Sequence, residues 1–327
     1  MITFPKSIKV FNKKKNKINK NLLLVGSGRW AKVTLDEIIK NFPYIKIYIY
    51  TNNFIKLKKW IESKKYTNVF QIKNLQKIKE IKCDFAIIAN KSKNHFSICH
   101  KLLKLNFNVL VEKPFTLKLK DANKLIKLSY RKKLFLLIGL QFFYAKYFYF
   151  IRKILKKFKI KEIKIEWFDK QNEIRNKILK IHDTEVNYVE DVFYHVYSIL
   201  EVLLGKKNYV FRRNSTLVGK KNILFFNYRK QKIILQCSRS FSIRKRMIKI
   251  YFYKNRKLFI NFSKDLKIQG RTEKNLIKFP KYVIDTTLKY QLFFFLNLKN
   301  YKSDLLPNDI RNLNNLLLSL KNLRKFI

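Results

Sequence analysis

The sequence predicts a doubly wound α/β domain followed by an α+β domain with a mostly antiparallel, open sheet. Over roughly the first 145 residues, short apolar runs without polar alternation are separated by amphipathic stretches, which is typical of a parallel sheet covered by helices on both faces. Beyond about residue 160 the strands alternate between apolar and polar residues, which indicates half-buried antiparallel strands. The chain has 327 residues, enough for two ordinary domains.

The first domain is predicted over residues 21–145 and begins with a fully buried strand at 21–26. Its other strands are predicted at 44–50, 84–89, 108–112 and 134–140, and its helices at about 30–41, 54–63, 96–105 and 118–131. A basic extension at 1–20 precedes it and lacks the apolar segment of a secretory signal.

The second domain is predicted over residues 146–327. Its strands are expected at 161–168, 222–228, 232–238, 249–253 and 257–262, and its helices at about 186–204, 286–299 and 309–324. Pro307-Asn308 is a credible start signal for the last helix.

The charge of the chain is extreme. Lys and Arg number 74 against 21 Asp and Glu, and the formal net charge of +53 would normally suggest a nucleic acid or an acidic membrane as partner. The basic residues are spread along the whole chain, together with abundant Ile, Asn, Phe and Tyr, all of which have A/T-rich codons. We therefore attribute the excess to the nucleotide composition of the gene, with a functional basic surface as the alternative. We expect no specific nucleic-acid partner and no membrane partner.

The cysteines also limit the function. Cys83, Cys99 and Cys237 are odd in number and far apart, which argues against a disulfide framework and against a CxxC metal site. We expect a reducing cytoplasmic location and no bound metal.

The segment Gly26-Ser27-Gly28-Arg29-Trp30-Ala31 directly follows the first strand and opens a helix. Its first glycine permits a tight turn, its second lets backbone amides approach a pyrophosphate, and the small Ala31 allows the helix to pack closely on the strand. The helix N-terminus adds free N–H groups for the anion. This pattern predicts that Gly26, Gly28, Arg29, Trp30 and Ala31 bind a dinucleotide; a purely structural turn is the alternative.

The end of the second strand bears on the choice between NAD and NADP. The acidic residue that binds an adenosine ribose about 20 residues after the glycines is absent. The strand instead ends in Tyr50-Thr51-Asn52-Asn53, where Thr51 and Asn52 can hydrogen-bond a 2′-phosphate that no carboxylate repels. This favours NADP slightly over NAD, with solvated loop residues of no such role as the alternative.

Lys113 lies in Glu112-Lys113-Pro114 at the carboxyl end of a buried strand, the edge at which open α/β sheets bind ligands. Beside an oxidised nicotinamide ring, a lysine experiences a like charge and partial desolvation, and both favour the neutral amine that proton transfer needs. In a chain this rich in lysine, a solvated surface charge is the alternative for a single lysine.

Three motifs together resemble the Gfo/Idh/MocA family of NAD(P)-dependent oxidoreductases: the glycine turn, the strand 84–89 leading to Asn94-His95, and Val109-Leu-Val-Glu112-Lys113-Pro114. The resemblance implies a Rossmann domain that binds NADP or NAD, then a domain whose sheet carries the substrate site. It implies hydride transfer between the nicotinamide and a secondary alcohol or ketone carbon of a sugar, nucleotide sugar or polyol. It also implies cofactor contacts from Ala89, Asn90, His95, Glu112, Lys113 and Pro114. For His95, packing at a helix start is an equal alternative.

The family pattern also includes Asp-x-x-x-His at the start of a helix in the second domain, which Asp191 to His195 match. The i, i+4 spacing puts both side chains on one helix face. The resemblance implies that His195 moves the proton, Lys113 polarises the reacting oxygen, and Glu112 and Asp191 orient cofactor ribose and substrate. Lys113 and His195 are then expected to face the nicotinamide across the cleft between the domains. Without the resemblance, Asp191 would be interpreted as a capping carboxylate and His195 as an incidental histidine.

The chain departs from the family pattern in two places. Asn187, Val189 and Phe193 replace glycines that the family usually places around the Asp-x-x-x-His segment, and Gln141-Phe142-Phe143-Tyr144 stands where many members carry an arginine. Both changes predict larger or more apolar side chains near the substrate pocket. The alternative function is therefore a catalytically weakened nucleotide-binding protein with a regulatory or binding role.

Family members commonly associate through the exposed face of the second-domain sheet. In this chain Ile250, Phe252, Leu258 and Ile260 lie on one side of two predicted strands, an alternation that permits such an interface. We therefore expect a homo-oligomer.

Overall fold

The computed structural model describes residues 21–175, 178–179, 183, 185–205, 209–211, 216–218, 221–228, 231–263, 267–271, 276–277, 287–297 and 310–325. The predicted basic extension at 1–20 lies outside these residues. The described residues form two compact units. The first contains residues 21–144 and the helix Thr287–Leu296; the second contains the residues from 145 to 277 and from 314 onwards.

The first unit is built on a parallel sheet of six strands in the order β3-β2-β1-β4-β5-β6. The strands are β1 (Asn21–Val25), β2 (Lys46–Tyr50), β3 (Val69–Ile72), β4 (Phe85–Ile88), β5 (Asn108–Val111) and β6 (Leu136–Ile138). The strand order reverses between β1 and β4, and ligands of open α/β sheets bind outside the carboxyl ends of the strands at this point. The predicted doubly wound domain is confirmed.

Helices flank this sheet and bury one apolar face each. They are α1 (Arg29–Asn41), α2 (Phe54–Ser63), α3 (His95–Lys104) and α4 (Leu119–Arg131). Short 3-10 segments lie at Leu75–Lys79, Ser92–Asn94 and Gln141–Tyr144. The sequence prediction omitted β3, because only Ile72 of its four residues is buried and an edge strand of this kind has little apolar pattern.

The second unit contains a mixed sheet of nine described strands. β7 (Ile160–Lys170) lies at its centre, parallel to β13 (Gln231–Phe241) and antiparallel to β14 (Lys245–Phe252). The outer strands, all antiparallel, are β10 (Tyr209–Phe211), β11 (Thr216–Val218), β12 (Lys221–Tyr228), β15 (Lys257–Asn261), β16 (Lys267–Arg271) and β17 (Leu276–Ile277). A separate two-stranded sheet pairs β8 (Ile174–Arg175) with β9 (Ile178–Leu179). The mostly antiparallel sheet is therefore confirmed.

Four further helices complete the described chain: α5 (Lys146–Leu155), α6 (Tyr188–Leu204), α7 (Thr287–Leu296) and α8 (Ile310–Leu323). Helices α5 and α6 pack on each other in the second unit. Among the described helices, none combines the length and the apolar character that crossing a membrane requires.

Helix α7 packs in the first unit, which differs from the prediction that residues 146–327 form the second domain. The Phe293 ring stacks 6.5 Å from that of Phe42, and Gln291 donates a hydrogen bond to the backbone carbonyl of Ile138 over 3.3 Å. The helix is apolar on nearly every side and is buried from Tyr290 to Leu296. A helix of this kind must be covered all round, but its sequence carries no information about which domain covers it.

The four apolar side chains expected to permit an interface do not lie on the open face of the sheet. Ile250, Phe252, Leu258 and Ile260 are buried within the chain itself, and the Phe252 ring packs against Phe158 at 5.6 Å. Their alternation reflects the side of the sheet that is covered by the protein's own core. The four residues therefore do not support the expected interface.

Candidate active site

Gly26 is required by the protein's own backbone. Its φ angle is +122°, a conformation that residues with a side chain rarely adopt, and its N–H donates a hydrogen bond to the Tyr50 carbonyl over 2.9 Å. A Cβ atom at this position would lie 2.7 Å from the carbonyl oxygen of Ala89. The end of β1 therefore lies directly against the segment that follows β4.

Gly28 is different, because no atom of the described residues, apart from its chain neighbours and the backbone of its own helix, lies within 4 Å of the position that its Cβ would occupy. Helix α1 begins here without a side-chain cap and without an acidic residue in its first turn. The backbone N–H groups of the first turn and the positive end of the helix dipole therefore lie next to this open position. No contact within the described part of the chain requires glycine at this position, and the open surface fits the approach of a pyrophosphate. Ala31 is buried, as the predicted helix–strand packing requires.

Asn90 supplies a second feature that fits a nucleotide. It follows β4, and its backbone nitrogen lies 3.0 Å from the position of a Cβ on Gly26. Its side-chain oxygen is buried and has no hydrogen-bond partner within the part of the chain that the structure describes. A buried acceptor without a donor is costly, and a ribose hydroxyl of a bound ligand would satisfy it. The residues around Gly28 and Asn90 thus fit a nicotinamide dinucleotide.

Thr51 connects the end of β2 to the glycine turn. Its hydroxyl forms a hydrogen bond of 2.8 Å with the hydroxyl of Ser27 and accepts another from the Asn53 N–H over 3.2 Å. A hydroxyl can take part in three hydrogen bonds, so one remains for a ligand. Asn52 is exposed beside it. Both predicted 2′-phosphate contacts therefore lie at the ligand-binding edge of the sheet.

Lys113 lies at the same edge, directly after β5. It is the partly exposed residue in a segment, 107–116, whose other members are all buried. The Lys113–Pro114 peptide bond is cis. Because β1, β4 and β5 are adjacent and parallel, the ends that carry Gly26, Asn90 and Lys113 share one edge of the sheet.

His95 is fully buried at the start of α3. Its Nδ1 lies 2.8 Å from the Pro114 carbonyl oxygen and its Nε2 lies 3.2 Å from that of Asn90. In a neutral imidazole one of the two nitrogens carries the proton and donates to its carbonyl oxygen, and the tautomer decides which one. His95 therefore joins the segment that follows Lys113 to the segment that follows β4, which is the helix-start packing that the sequence left open as an alternative to cofactor contact.

Glu112 has a buried carboxyl group beside Lys113. Its Oε2 lies 2.5 Å from the position that a Cβ on Gly139 would occupy, so the absence of a side chain at Gly139 makes room for it. Burial raises the pKa of Glu112 to about 7, although the nearby Trp30 indole and Lys113 act in the opposite direction. The Trp30 indole nitrogen is itself buried and has no described partner with normal hydrogen-bond geometry.

In the second unit, Asp191 and His195 have an exposure pattern like that of Lys113. From Tyr188 to Leu203 every residue of α6 is buried except these two. Since they are four residues apart, both lie on the face of the helix that is not covered by the core. Asn187 caps the helix, and its side-chain oxygen accepts a hydrogen bond from the Val189 N–H over 2.9 Å.

Trp167 of β7 supports His195 and was not identified from the sequence. The imidazole stacks on the indole with ring centroids 5.0 Å apart and planes 17° apart. The Arg246 guanidinium lies 4.2 Å from the centre of the indole and is ion-paired with buried Asp169. The sequence shows Trp167 only as one residue of an alternating strand, because its contact with His195 depends on how α6 packs on the sheet.

The aromatic residues that depart from the family pattern are core residues in the structure. Phe193 is fully buried and packs against Phe226 at 6.3 Å. In the 3-10 segment Gln141–Tyr144 all three aromatic side chains are buried, and Tyr144 packs against Phe294 of α7 at 5.6 Å. These aromatic side chains fill the interior of their own units, so the prediction that they lie in the substrate pocket is not supported.

Comparison with known proteins agrees with this geometry. Residues 20–140 match the Gfo/Idh/MocA family model, which is described as an oxidoreductase family with an NAD-binding Rossmann fold. Over these residues the match confirms the resemblance found in the motifs, so the first domain is an NAD-binding Rossmann domain of an oxidoreductase family.

Solved structures share the fold over nearly the whole chain. UDP-N-acetylglucosamine 3-dehydrogenase GnnA from Acidithiobacillus ferrooxidans is 15% identical, with a TM-score of 0.72 over 94% of this chain and 97% of that one. A variant of KijD10, a 3-ketoreductase from Actinomadura kijaniata in complex with TDP-benzene and NADP, is 11% identical, with a TM-score of 0.75 over 94% and 96%. A Gfo/Idh/MocA family oxidoreductase from Vibrio cholerae is 12% identical, with a TM-score of 0.69 over 93% and 96%.

Proposed function

We propose that this chain, whose N-terminal domain belongs to the Gfo/Idh/MocA family, transfers a hydride between a nicotinamide and a secondary alcohol or ketone carbon of a sugar, nucleotide sugar or polyol. The observation that carries the proposal is the exposure of Lys113, Asp191 and His195. Each is partly exposed in a segment that is otherwise buried, and each lies in a motif typical of the family. The similarity in fold to a UDP-N-acetylglucosamine 3-dehydrogenase and a 3-ketoreductase supports a sugar-like substrate.

The cofactor is held by the edge of the first sheet. Gly26, Gly28 and the start of α1 receive the pyrophosphate, with Arg29 and Trp30 beside it. The side-chain oxygen of Asn90 accepts a hydrogen bond from a ribose hydroxyl, while the backbone of Ala89 and Pro114 contacts the cofactor. Thr51 and Asn52 bind a 2′-phosphate, and the relative that binds NADP supports a slight preference for that cofactor.

The bound nicotinamide would accept or supply the hydride, while the protein moves the accompanying proton. Lys113 polarises the reacting oxygen by donating a hydrogen bond. His195 accepts the hydroxyl proton, for which it must come within about 2.6–3.2 Å of the oxygen or act through one water. Asp191, one turn earlier on α6, orients the substrate. Trp167 restricts the imidazole to one plane, which reduces the freedom lost when the substrate binds.

The cofactor site is tested by substituting its two glycines in turn. Gly28→Val is expected to weaken NADPH and NADH binding by about 100-fold or more, because the side chain occupies the space for the pyrophosphate, and to leave the unfolding midpoint nearly unchanged. Gly26→Ala is expected to destabilise the fold through its positive φ and the contact with Ala89. Fluorescence titration and urea unfolding measure the two effects. Unchanged cofactor affinity in Gly28→Val contradicts the assignment.

The catalytic pair is tested by a double-mutant cycle on a substrate selected from a panel of sugars and nucleotide sugars. Lys113→Ala and His195→Ala are each expected to lower kcat by about 10²–10⁴-fold, with little change in cofactor affinity. Because both act on one proton transfer, the double variant is expected to be little slower than the slower single variant. Losses that multiply in the double variant would show that the two residues act independently.

A further inference from the structure

The first turns of α6 carry a third residue on the same side as Asp191 and His195. Tyr188, Asp191 and His195 are spaced i, i+3 and i+7, so they form one stripe along the helix. The Tyr188 hydroxyl lies 2.7 Å from the Ser238 carbonyl oxygen and 3.3 Å from that of Trp167. These contacts fix the start of α6 on β7 and β13, next to the strand residue that supports His195.

Arg239 of β13 lies against this stripe. Its guanidinium carbon is 5.0 Å from the centre of the Tyr188 ring, and its Nη2 donates a long hydrogen bond of 3.5 Å to the Val186 carbonyl. Cys237 and Ser238 pair with Trp167 and Phe168, and the register of β13 against β7 shifts directly after Ser238. Arg239 therefore lies where the regular pairing ends, and its contacts with Tyr188 and Val186 place it beside the start of α6, the helix that carries His195.

Unlike three other arginines of this unit, Arg239 has no counter-ion among the described residues. Arg244, Arg246 and Arg324 each form an ion pair with a carboxylate. Within the described residues Arg239 has no such partner, and its Nε is fully buried without a hydrogen bond. A half-buried cation has lost part of its hydration, so an anion that completes its hydrogen bonds would be bound favourably.

We propose that Arg239 binds a phosphate group of the substrate, which is then a phosphorylated or nucleotide-linked sugar and not a neutral sugar or polyol. The inference rests on the proposed function for the identity of the site, and it specifies the substrate class. A planar guanidinium with unused N–H groups matches two phosphate oxygens at once. The aromatic ring of Tyr188 holds the guanidinium in place beside the first turn of α6.

The test uses uridine diphosphate and glucose 1-phosphate as probes. Each is titrated by calorimetry into the full chain at about 0.15 M salt. The nicotinamide cofactor is present in excess, so that the probes cannot bind at the glycine turn. Wild-type protein is expected to bind at least one probe. Arg239→Ala is expected to weaken that binding by about 10–100-fold, the effect of losing a charge-assisted pair of hydrogen bonds. Arg239→Lys keeps the charge but loses the planar guanidinium, and its probe affinity is expected to lie between those of the wild type and Arg239→Ala.

Arg256→Ala is the matched control. Arg256 also has a buried Nε without a described partner and lies over an aromatic ring, that of Phe158 at 4.7 Å, but it is located at the turn between β14 and β15. Removing it changes the net charge by the same amount and is expected to leave probe binding unchanged. Equal weakening in both alanine variants would show that the probes bind to the general basic surface, and that result overturns the proposal.

The remaining outcomes are also decisive. Probe affinity unchanged in Arg239→Ala, or no binding of either probe to wild-type protein, overturns the inference. Binding of uridine diphosphate alone supports a nucleotide-linked sugar, whereas binding of both probes shows that one phosphate is enough. NADPH and NADH are titrated separately: absence of their binding refutes the proposed function, and the probe titrations without cofactor still decide the role of Arg239. If Arg239→Ala does not fold, Arg239→Lys and Arg239→Gln replace it.

Discussion

The Glu112 carboxyl group makes the stability of the first unit dependent on pH. Burial beside Gly139 raises the pKa of this carboxyl from 4.5 to about 7, because the ionised form loses its hydration there. The fold therefore favours the protonated form. Below pH 4.5, the pKa of this carboxyl in the unfolded chain, its burial does not lower the free energy of unfolding. As the pH rises from about 4.5 to about 7, the unfolded chain loses the proton first, and the folded state becomes less stable relative to it.

We expect Glu112→Gln to remove this loss. The pKa difference corresponds to roughly 3 kcal/mol, so the variant should match the wild type near pH 4.5 and exceed its free energy of unfolding by up to that amount at pH 8. Urea unfolding of the cofactor-free protein at several pH values measures the effect. Glu62→Gln, which changes an exposed glutamate on α2, is the control, and its free energy of unfolding should depend on pH as that of the wild type does. Parallel pH dependences of wild type and Glu112→Gln would contradict the prediction.

Two helices far apart in the sequence are joined at the candidate site by one ion pair. Arg324, directly after α8, donates two hydrogen bonds to the carboxylate of Glu190, from Nε over 2.7 Å and from Nη2 over 2.6 Å. These bonds raise the pKa of Arg324. Glu190 is buried and immediately precedes Asp191. The C-terminal helix therefore holds the first turn of α6.

Arg324→Ala leaves the Glu190 carboxylate buried without its partner, and we expect it to lower the free energy of unfolding by about 2–3 kcal/mol. It should also lower kcat more than it raises KM, because Asp191 and His195 lose their fixed position. Adding Glu190→Gln removes the buried charge and should restore part of the stability. Denaturant unfolding and steady-state kinetics measure both effects; a double variant less stable than Arg324→Ala would argue against this account.

The sequence predicts elements better than the contacts between them. Helix α6 was expected at about 186–204 and is found at Tyr188–Leu204, because its apolar residues are local signals. The stacking of His195 on Trp167 and the pairing of Glu190 with Arg324 arise from strand register and from the packing of distant helices. Neither contact leaves a pattern along the chain. The family motifs indicated where polar residues would be exposed, but not what supports them.

The net charge of +53 affects how the whole molecule can associate. On the outer side of the second sheet, Glu162 contacts Lys164 and Lys232, and Glu166 contacts Lys245 and Lys249. Burial opposes ionisation of Glu166, but these two lysines outweigh it and lower its pKa. Each glutamate is thus surrounded by two cations. An interface between two copies of this face must bring like charges together.

We therefore expect a homo-oligomer formed through this face to become more stable as salt is added. The Debye length falls from about 30 Å at 0.01 M salt to about 8 Å at 0.15 M, so repulsion between the copies is screened over that range. Light scattering should show the oligomer fraction rising with sodium chloride. Glu166→Lys should shift this rise to higher salt, because it removes the anion between Lys245 and Lys249, whereas Glu62→Lys adds the same charge on α2 and should have a smaller effect. Dissociation with added salt, or equal behaviour of the two variants, would exclude this face as the interface.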